Sequence, residues 1–268
     1  MARSVLVGAV AYTPNVVPIW EGIKDYFRGA PVEMDFVLFS NYERLVEALM
    51  AGWVDIAWNT NMAYVRTAGL TGGTARALAM RDTDATFRSV FVKRTGSEIS
   101  SLADLVGKRI ALGSKDSGQA RILPLKFLAD AGVTADNTTF VIFDSDVGKH
   151  GDTGRSELDA LRAVLDDDAD AAAIGVTTWQ QLQDSGDVGV EQFWTSAEYS
   201  HCNFTALESL DRGVADDWVA HLMAMDWDNP EHRPILEMEG LTRWIEPAMA
   251  GYDSLFEAVE EQSVPLRW

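Results

Sequence analysis

The sequence predicts an α/β protein in which short buried strands alternate with amphipathic helices and the chain divides into two lobes. Three observations predict it. Short apolar runs recur between segments with helical spacing, the mark of βαβ units. At 268 residues the chain is long enough for two small lobes, each with its own core. Hydrophobic residues make up 47% and charged residues 24%, an ordinary balance for a globular chain.

Each element follows from its local pattern. Residues 4–11 form an apolar run and predict the first strand. Residues 14–27 predict a helix, with Val17, Trp20, Ile23, Tyr26 and Phe27 on one face. Residues 34–39 predict a second strand, 42–51 a helix with Leu45, Ala48 and Leu49 inward, and 54–58 a third strand. A helix start follows at Asn59, Thr60 and Asn61, three residue types that favour helix caps. Residues 75–80 and 88–93 predict a pair of strands leading out of the first lobe. A new unit begins near Ser97, with a short helix over 101–105, strands over 109–113, 138–143 and 169–174, and helices over 117–131 and 156–165. From His201 onward come a short strand and helices near 215–225, 233–239 and 252–261. The Gly- and Asp-rich stretch 144–155 is the longest predicted loop.

Charge excludes some partners. Asp and Glu number 41 against 22 Lys and Arg, a formal net charge of -19. Such a surface repels nucleic acid and anionic membranes, and it repels anionic ligands at long range. An anion must therefore be held by local donors such as helix N-termini and hydroxyls. Cys202 is the one cysteine, so no intramolecular disulfide forms. The first strand begins almost at once, with no secretory leader before it, and no apolar run spans a membrane. The chain as written is expected in the cytoplasm, or outside it if a leader has been removed. No cofactor motif occurs. The four histidines show no zinc spacing, so no metal site is expected.

Three segments in order resemble the phosphonate-binding proteins of ABC importers. The first runs from Tyr42-Glu43-Arg44-Leu45 through Gly52-Trp53-Val54-Asp55-Ile56-Ala57-Trp58. The second is Ser101-Leu102-Ala103-Asp104-Leu105-Val106-Gly107-Lys108-Arg109. The third is Gly113-Ser114-Lys115-Asp116-Ser117-Gly118-Gln119-Ala120, with Pro124 and Ala131-Gly132-Val133 after it. The resemblance is good over the first two-thirds and weak in the last third. It implies a two-lobed, periplasmic-binding-protein-like fold of type II, with mixed, mainly parallel sheets. It also implies two crossings, at 86–95 and 197–202. Lobe one is then expected to hold 1–85 plus 203–268 and lobe two 96–196, with the ligand in the cleft between them. The implied partners are a small-molecule ligand and an ABC permease, and the chain is expected as a monomer or dimer.

The candidate ligand residues follow from position. Ser117, Gly118, Gln119 and Ala120 stand at a predicted helix N-terminus, where open N–H groups favour an anion. Relatives resemble Ser-Thr-Ser-Gly there, so this chain loses two hydroxyl donors and gains an amide. Ser117 equally suits a simple N-cap. Tyr12 follows the first strand, and Asn59, Thr60 and Asn61 follow the third, at strand ends where ligands of open α/β sheets gather. Glu157 falls where relatives often carry a histidine. A carboxylate there suits an amine-bearing or protonated ligand, or a general base. Thr177 and Thr178 follow the strand ending at Ile174, and His201 and Asn203 lie at the second expected crossing.

Two functions follow. One is a solute-binding protein or sensor for a small polar or anionic ligand: an oxyanion, a phosphonate-like compound or a carboxylate. The other is a cytoplasmic lyase- or dehydratase-like enzyme on the same fold, using Glu157, His201 and Cys202. Cys202 has an ordinary reading as a small buried hydrophobe, and neighbours along an extended strand point to opposite faces. Trp218, Met223, Met225 and Trp227 read as core.

Overall fold

The computed structural model describes residues 3–11, 16–144, 154–186 and 189–267. In chain order the elements are β1 (Arg3–Val10), α1 (Val16–Tyr26), β2 (Val32–Phe39), α2 (Tyr42–Met50), β3 (Ile56–Asn59), α3 (Asn61–Leu70), β4 (Arg76–Arg81) and β5 (Ser89–Arg94). They continue with β6 (Arg109–Leu112), α4 (Leu123–Asp130), β7 (Thr139–Ile142), α5 (Gly154–Leu165), β8 (Ala171–Gly175), α6 (Val176–Asp184) and β9 (Val190–Thr195). The last are β10 (Asn203–Ala206), α7 (Arg212–Met223), α8 (Arg233–Glu239), β11 (Trp244–Ile245) and α9 (Asp253–Glu261). A π-helical turn, Gly118–Ile122, leads directly into α4.

The chain forms two compact units. The first holds Met1–Thr86, Ser200–Asp253 and Val264–Trp268; the second holds Phe87–Tyr199 and Ser254–Ser263. The first unit's sheet runs β11-β4-β10-β3-β1-β2 and the second's runs β7-β6-β8-β5-β9. Each sheet is mixed. β1 pairs in parallel with β2 and β3, and β6 in parallel with β7 and β8. Antiparallel strands complete each: β10 on β3 and β4, and β5 on β8 and β9. The antiparallel share is larger than the βαβ pattern alone suggests, because strands returning from the other unit join the sheet against its direction.

β4 and β5 are not a pair: β4 joins the first sheet and β5 the second. Residues 89–94 therefore belong to the second unit, and the chain changes unit at 86/87 and 199/200 rather than over the whole of 86–95. Residues 254–263 also belong to the second unit, not with 203–253 in the first. The reason is local: Lys126 Nζ donates to both carboxylate oxygens of Glu261 at 3.0 Å, and Gln262 Nε2 donates to the Ile122 carbonyl at 2.8 Å.

The central strands read as buried on both faces and are so. β3 (Ile-Ala-Trp-Asn) and β8 (Ala-Ala-Ala-Ile-Gly) have no exposed residue. One core of the first unit is aromatic. Trp20, Phe27, Trp58, Phe204, Trp218 and Trp244 are buried together, with Met225 beside them and Met223 and Trp227 packed against them. On α1 the buried stripe is Val16, Ile19, Trp20 and Ile23; Val17 faces outward. Alanine at 171, 172 and 173 lets helices approach β8 closely, and Ala160, Leu161 and Val164 of α5 pack in the same cluster as Ala172.

Candidate functional site

Two donor-rich helix starts lie at strand C-terminal ends, one in each unit. In the first unit, β3 ends at Asn59, and Thr60 caps α3 in an extended conformation, its hydroxyl accepting from the Ala63 N–H at 3.3 Å. Asn61 opens the helix. Its side-chain oxygen accepts from the Met62 N–H at 2.8 Å, so Oδ1 is the bonded end of the amide and Nδ2 the other. Asn59 and Asn61 are both 0% exposed. Nδ2 of Asn61, and both Nδ2 and Oδ1 of Asn59, have no hydrogen-bond partner among the described residues. Buried polar side-chain atoms are nearly always paired, and leaving one unpaired costs about 1–3 kcal/mol. Three such atoms lie on two asparagines separated only by Thr60.

In the second unit, β6 ends at Leu112 and Gly113 follows it. A Cβ there would stand 2.7 Å from that of Ala120, so glycine lets the 117–122 turn fold onto the strand end. The Gly113 N–H donates to the Ala120 carbonyl at 2.9 Å and closes this approach. Ser117 caps the turn, its hydroxyl oxygen accepting from the Ala120 N–H at 3.1 Å; the hydroxyl hydrogen is not used in that bond. Ser117, Gly118, Gln119 and Ala120 are all buried. The π-helical turn joins α4 without a break, so the first-turn amides of a 13-residue helical run, Gly118 to Asp130, point out of its start.

Glu157 is buried rather than solvated on α5. Its Oε1 accepts from Gln119 Nε2 at 3.0 Å and its Oε2 from the Gly175 N–H at 2.7 Å. The carboxylate thus ties the turn to the end of β8. Thr177 is exposed on the first turn of α6, while Thr178 is buried. Tyr12 lies outside the described residues, as do 145–153 of the long loop.

The residues proposed for catalysis form a different kind of cluster. Arg81 donates from Nε and Nη2 to the two carboxylate oxygens of Asp84, at 2.5 and 3.0 Å, and from Nη1 to the Glu239 carbonyl at 2.9 Å. Asp84 Oδ1 is 3.3 Å from His201 Nδ1, and Cys202 Sγ is 3.2 Å from the same nitrogen. A nucleophile–base–carboxylate relay needs thiol and carboxylate on opposite ring nitrogens. Here both meet Nδ1. Burial pushes the Cys202 thiol up to about 11, against the thiolate a nucleophile needs. Burial also raises Asp84, but Arg81 and His201 outweigh it and hold its carboxyl at about 2. Burial raises Glu239 to about 7 despite Arg81 beside it. Asp84, His201 and Cys202 also bring three metal-type donor atoms within 4.8 Å, a grouping that histidine spacing did not predict. Arg81 already neutralises the carboxylate of that group, so the cluster reads as a closed ion network.

Asn203 is committed internally. Its Nδ2 donates to the Tyr252 hydroxyl at 2.8 Å, its Oδ1 accepts from the Thr205 hydroxyl at 2.7 Å, and the Tyr252 O–H donates to the His201 carbonyl at 3.0 Å. The Asn203 amide, expected to face a ligand, is thus bonded at both ends within the first unit, and Asp84 and Cys202 both meet His201 at Nδ1. The sequence reading missed Arg81, Asp84, Glu239 and Tyr252. The only signal was the Arg81-Asp82-Thr83-Asp84 run of charge, which looks like an ordinary solvated turn.

Residues 11–252 match the family described as ABC transporter, phosphonate, periplasmic substrate-binding protein. A probable ABC transporter phosphite binding protein, PhnD1 of Prochlorococcus marinus (strain MIT 9301), is 25% identical over 248 residues, covering 87% of this chain and 80% of that protein. Among solved structures, PhnD1 from the same organism in complex with methylphosphonate superposes with a TM-score of 0.76 at 22% identity, covering 98% and 99% of the two chains. XAC2383 from Xanthomonas citri bound to ATP gives 0.74 at 18% identity, covering 96% and 97%. The aliphatic sulphonate binding protein SsuA from Escherichia coli gives 0.61 at 17% identity, covering 99% and 81%. These likenesses support the binding reading and give no support to the enzyme reading. The chain belongs to the periplasmic substrate-binding proteins of phosphonate ABC transporters, which bind a small anionic ligand and serve a permease.

Proposed function

We propose that the chain captures a small tetrahedral oxyanion of the phosphonate class, and that each unit carries a candidate donor set of its own. One is Asn59, Thr60 and Asn61 at the start of α3. The other is Ser117, Gly118, Gln119 and Ala120 at the turn before α4. The observation that carries this is the Asn59 amide, wholly buried with neither end partnered among the described residues. Asn61 adds a buried Nδ2 donor with no partner among the described residues, and Ser117 a hydroxyl whose cap bond leaves its hydrogen for an anion oxygen. The acidic surface makes such local donors necessary, since a net charge of -19 offers an anion no general attraction. The relatives that bind phosphite and methylphosphonate favour the same ligand class. Tyr12 is a further candidate on the resemblance alone, and the family favours the periplasm as the site of action.

The test is a thermal-shift titration of the whole chain with phosphite and methylphosphonate. Binding to the folded state raises the melting temperature with ligand concentration. Asn61→Ala and Ser117→Ala should each shrink that rise. A rise of equal size in wild type and both variants would remove these residues from the site.

A further inference from the structure

We infer that the site selects a monoanion that still carries a hydroxyl hydrogen, and discriminates against a same-shaped anion that has none. This rests on the reading above, that the start of α3 holds an oxyanion. Whichever way the Asn59 amide is turned, one of its ends is an acceptor, and both ends are buried without a partner. An anion with only acceptor oxygens can satisfy the amide nitrogen but not the amide oxygen. A phosphonate monoanion meets both needs, because it has one P–O–H donor beside its acceptor oxygens. A sulfonate has the same charge and tetrahedral shape but three acceptor oxygens and no donor. A phosphonate dianion also lacks the donor.

Sites built to hydrogen-bond a ligand O–H reject analogues lacking it by large factors, because the protein group is left unpaired.

The experiment is calorimetric titration of the whole chain with methylphosphonate and methanesulfonate, on both sides of the phosphonate's second ionisation. Methylphosphonate should bind at least roughly 100-fold more tightly than methanesulfonate below that ionisation. Its affinity should fall as the pH rises through it, while that of methanesulfonate stays level. Asn59→Leu, checked for folding by circular dichroism, should collapse the ratio between the two anions. Equal affinities for the two anions, or a methylphosphonate affinity that rises with pH, would overturn the inference even if Asn59→Leu failed to fold. Binding of neither anion at any pH would take down the oxyanion reading and this inference with it.

Discussion

The first unit contains two buried polar regions built in opposite ways. Around Asp84 every charge is answered: Arg81 grips its carboxylate, Glu239 shares Arg81, and His201 and Cys202 complete the group. Around Asn59 and Asn61 three polar atoms are answered by nothing among the described residues. Both regions are equally buried, so burial does not separate them. What separates them is whether the network closes. A closed network acts on stability; an open one leaves hydrogen-bonding capacity unused. The comparison also puts the Cys202–His201 pair, the most reactive-looking dipeptide in the sequence, inside the closed network.

The contrast can be broken at four points. The largest effect is expected from Asp84→Ala, which leaves Arg81 buried against Trp58 with its main counter-charge gone. Urea unfolding should show a loss of about 3–5 kcal/mol. A loss below about 1 kcal/mol would mean that the network does not hold the unit together.

Next is pH. Glu239 has its folded pKa raised to about 7 from an ordinary 4.5, so the folded state binds the extra proton. Its contribution to stability is full below the ordinary carboxylate range and is lost as pH rises through about 7, up to about 3 kcal/mol in all. Asp84 runs the other way. Its contribution is present above the ordinary range and is lost as pH falls toward 2. Chemical denaturation as a function of pH should therefore give a decline from about pH 5 to 7, and Glu239→Gln should abolish it. A decline that persists in that variant would assign it to another group.

The open region predicts the reverse sign. Asn59→Leu removes two buried unpaired atoms at similar volume, so the ligand-free chain should gain about 1–2 kcal/mol while its response to methylphosphonate falls. A destabilised variant would mean that the amide is already satisfied. Smallest is Ser117→Ala, which loses the cap on Ala120 at about 1 kcal/mol and also weakens the response to phosphite. A variant with the stability loss but an unchanged phosphite response would reduce Ser117 to a cap.

Much of the fold was legible because it is written in local periodicity. The buried runs of β1, β3 and β8, the stripe of α2, and Arg233–Glu239 of α8 fall where spacing predicts them. α6, β9 and β11 were not seen. Val190–Thr195 carries the polar residues Glu191 and Gln192, and Trp244–Ile245 is two residues long, too short for any period to show. The donor positions were legible as well, because Asn59, Thr60, Asn61 and Ser117 are cap-forming types just after apolar runs. Their separate fates were not. Whether Asn203 or Asn59 is left with an unanswered amide depends on Tyr252, about fifty residues away in the chain.

The sequence by itself determined the alternation of strands and helices, the acidic surface, the placing of helix starts at strand ends and the likeness to phosphonate binders. These depend on neighbours a few residues apart or on composition, and such information survives in one dimension. Only the tertiary structure decided which strands share a sheet, to which unit residues 254–263 belong, that Glu157 lies against Gln119, and that His201 and Cys202 close onto Asp84. Each of those depends on groups far apart in the chain meeting within hydrogen-bond distance, and no local pattern records which distant partner a polar side chain will find.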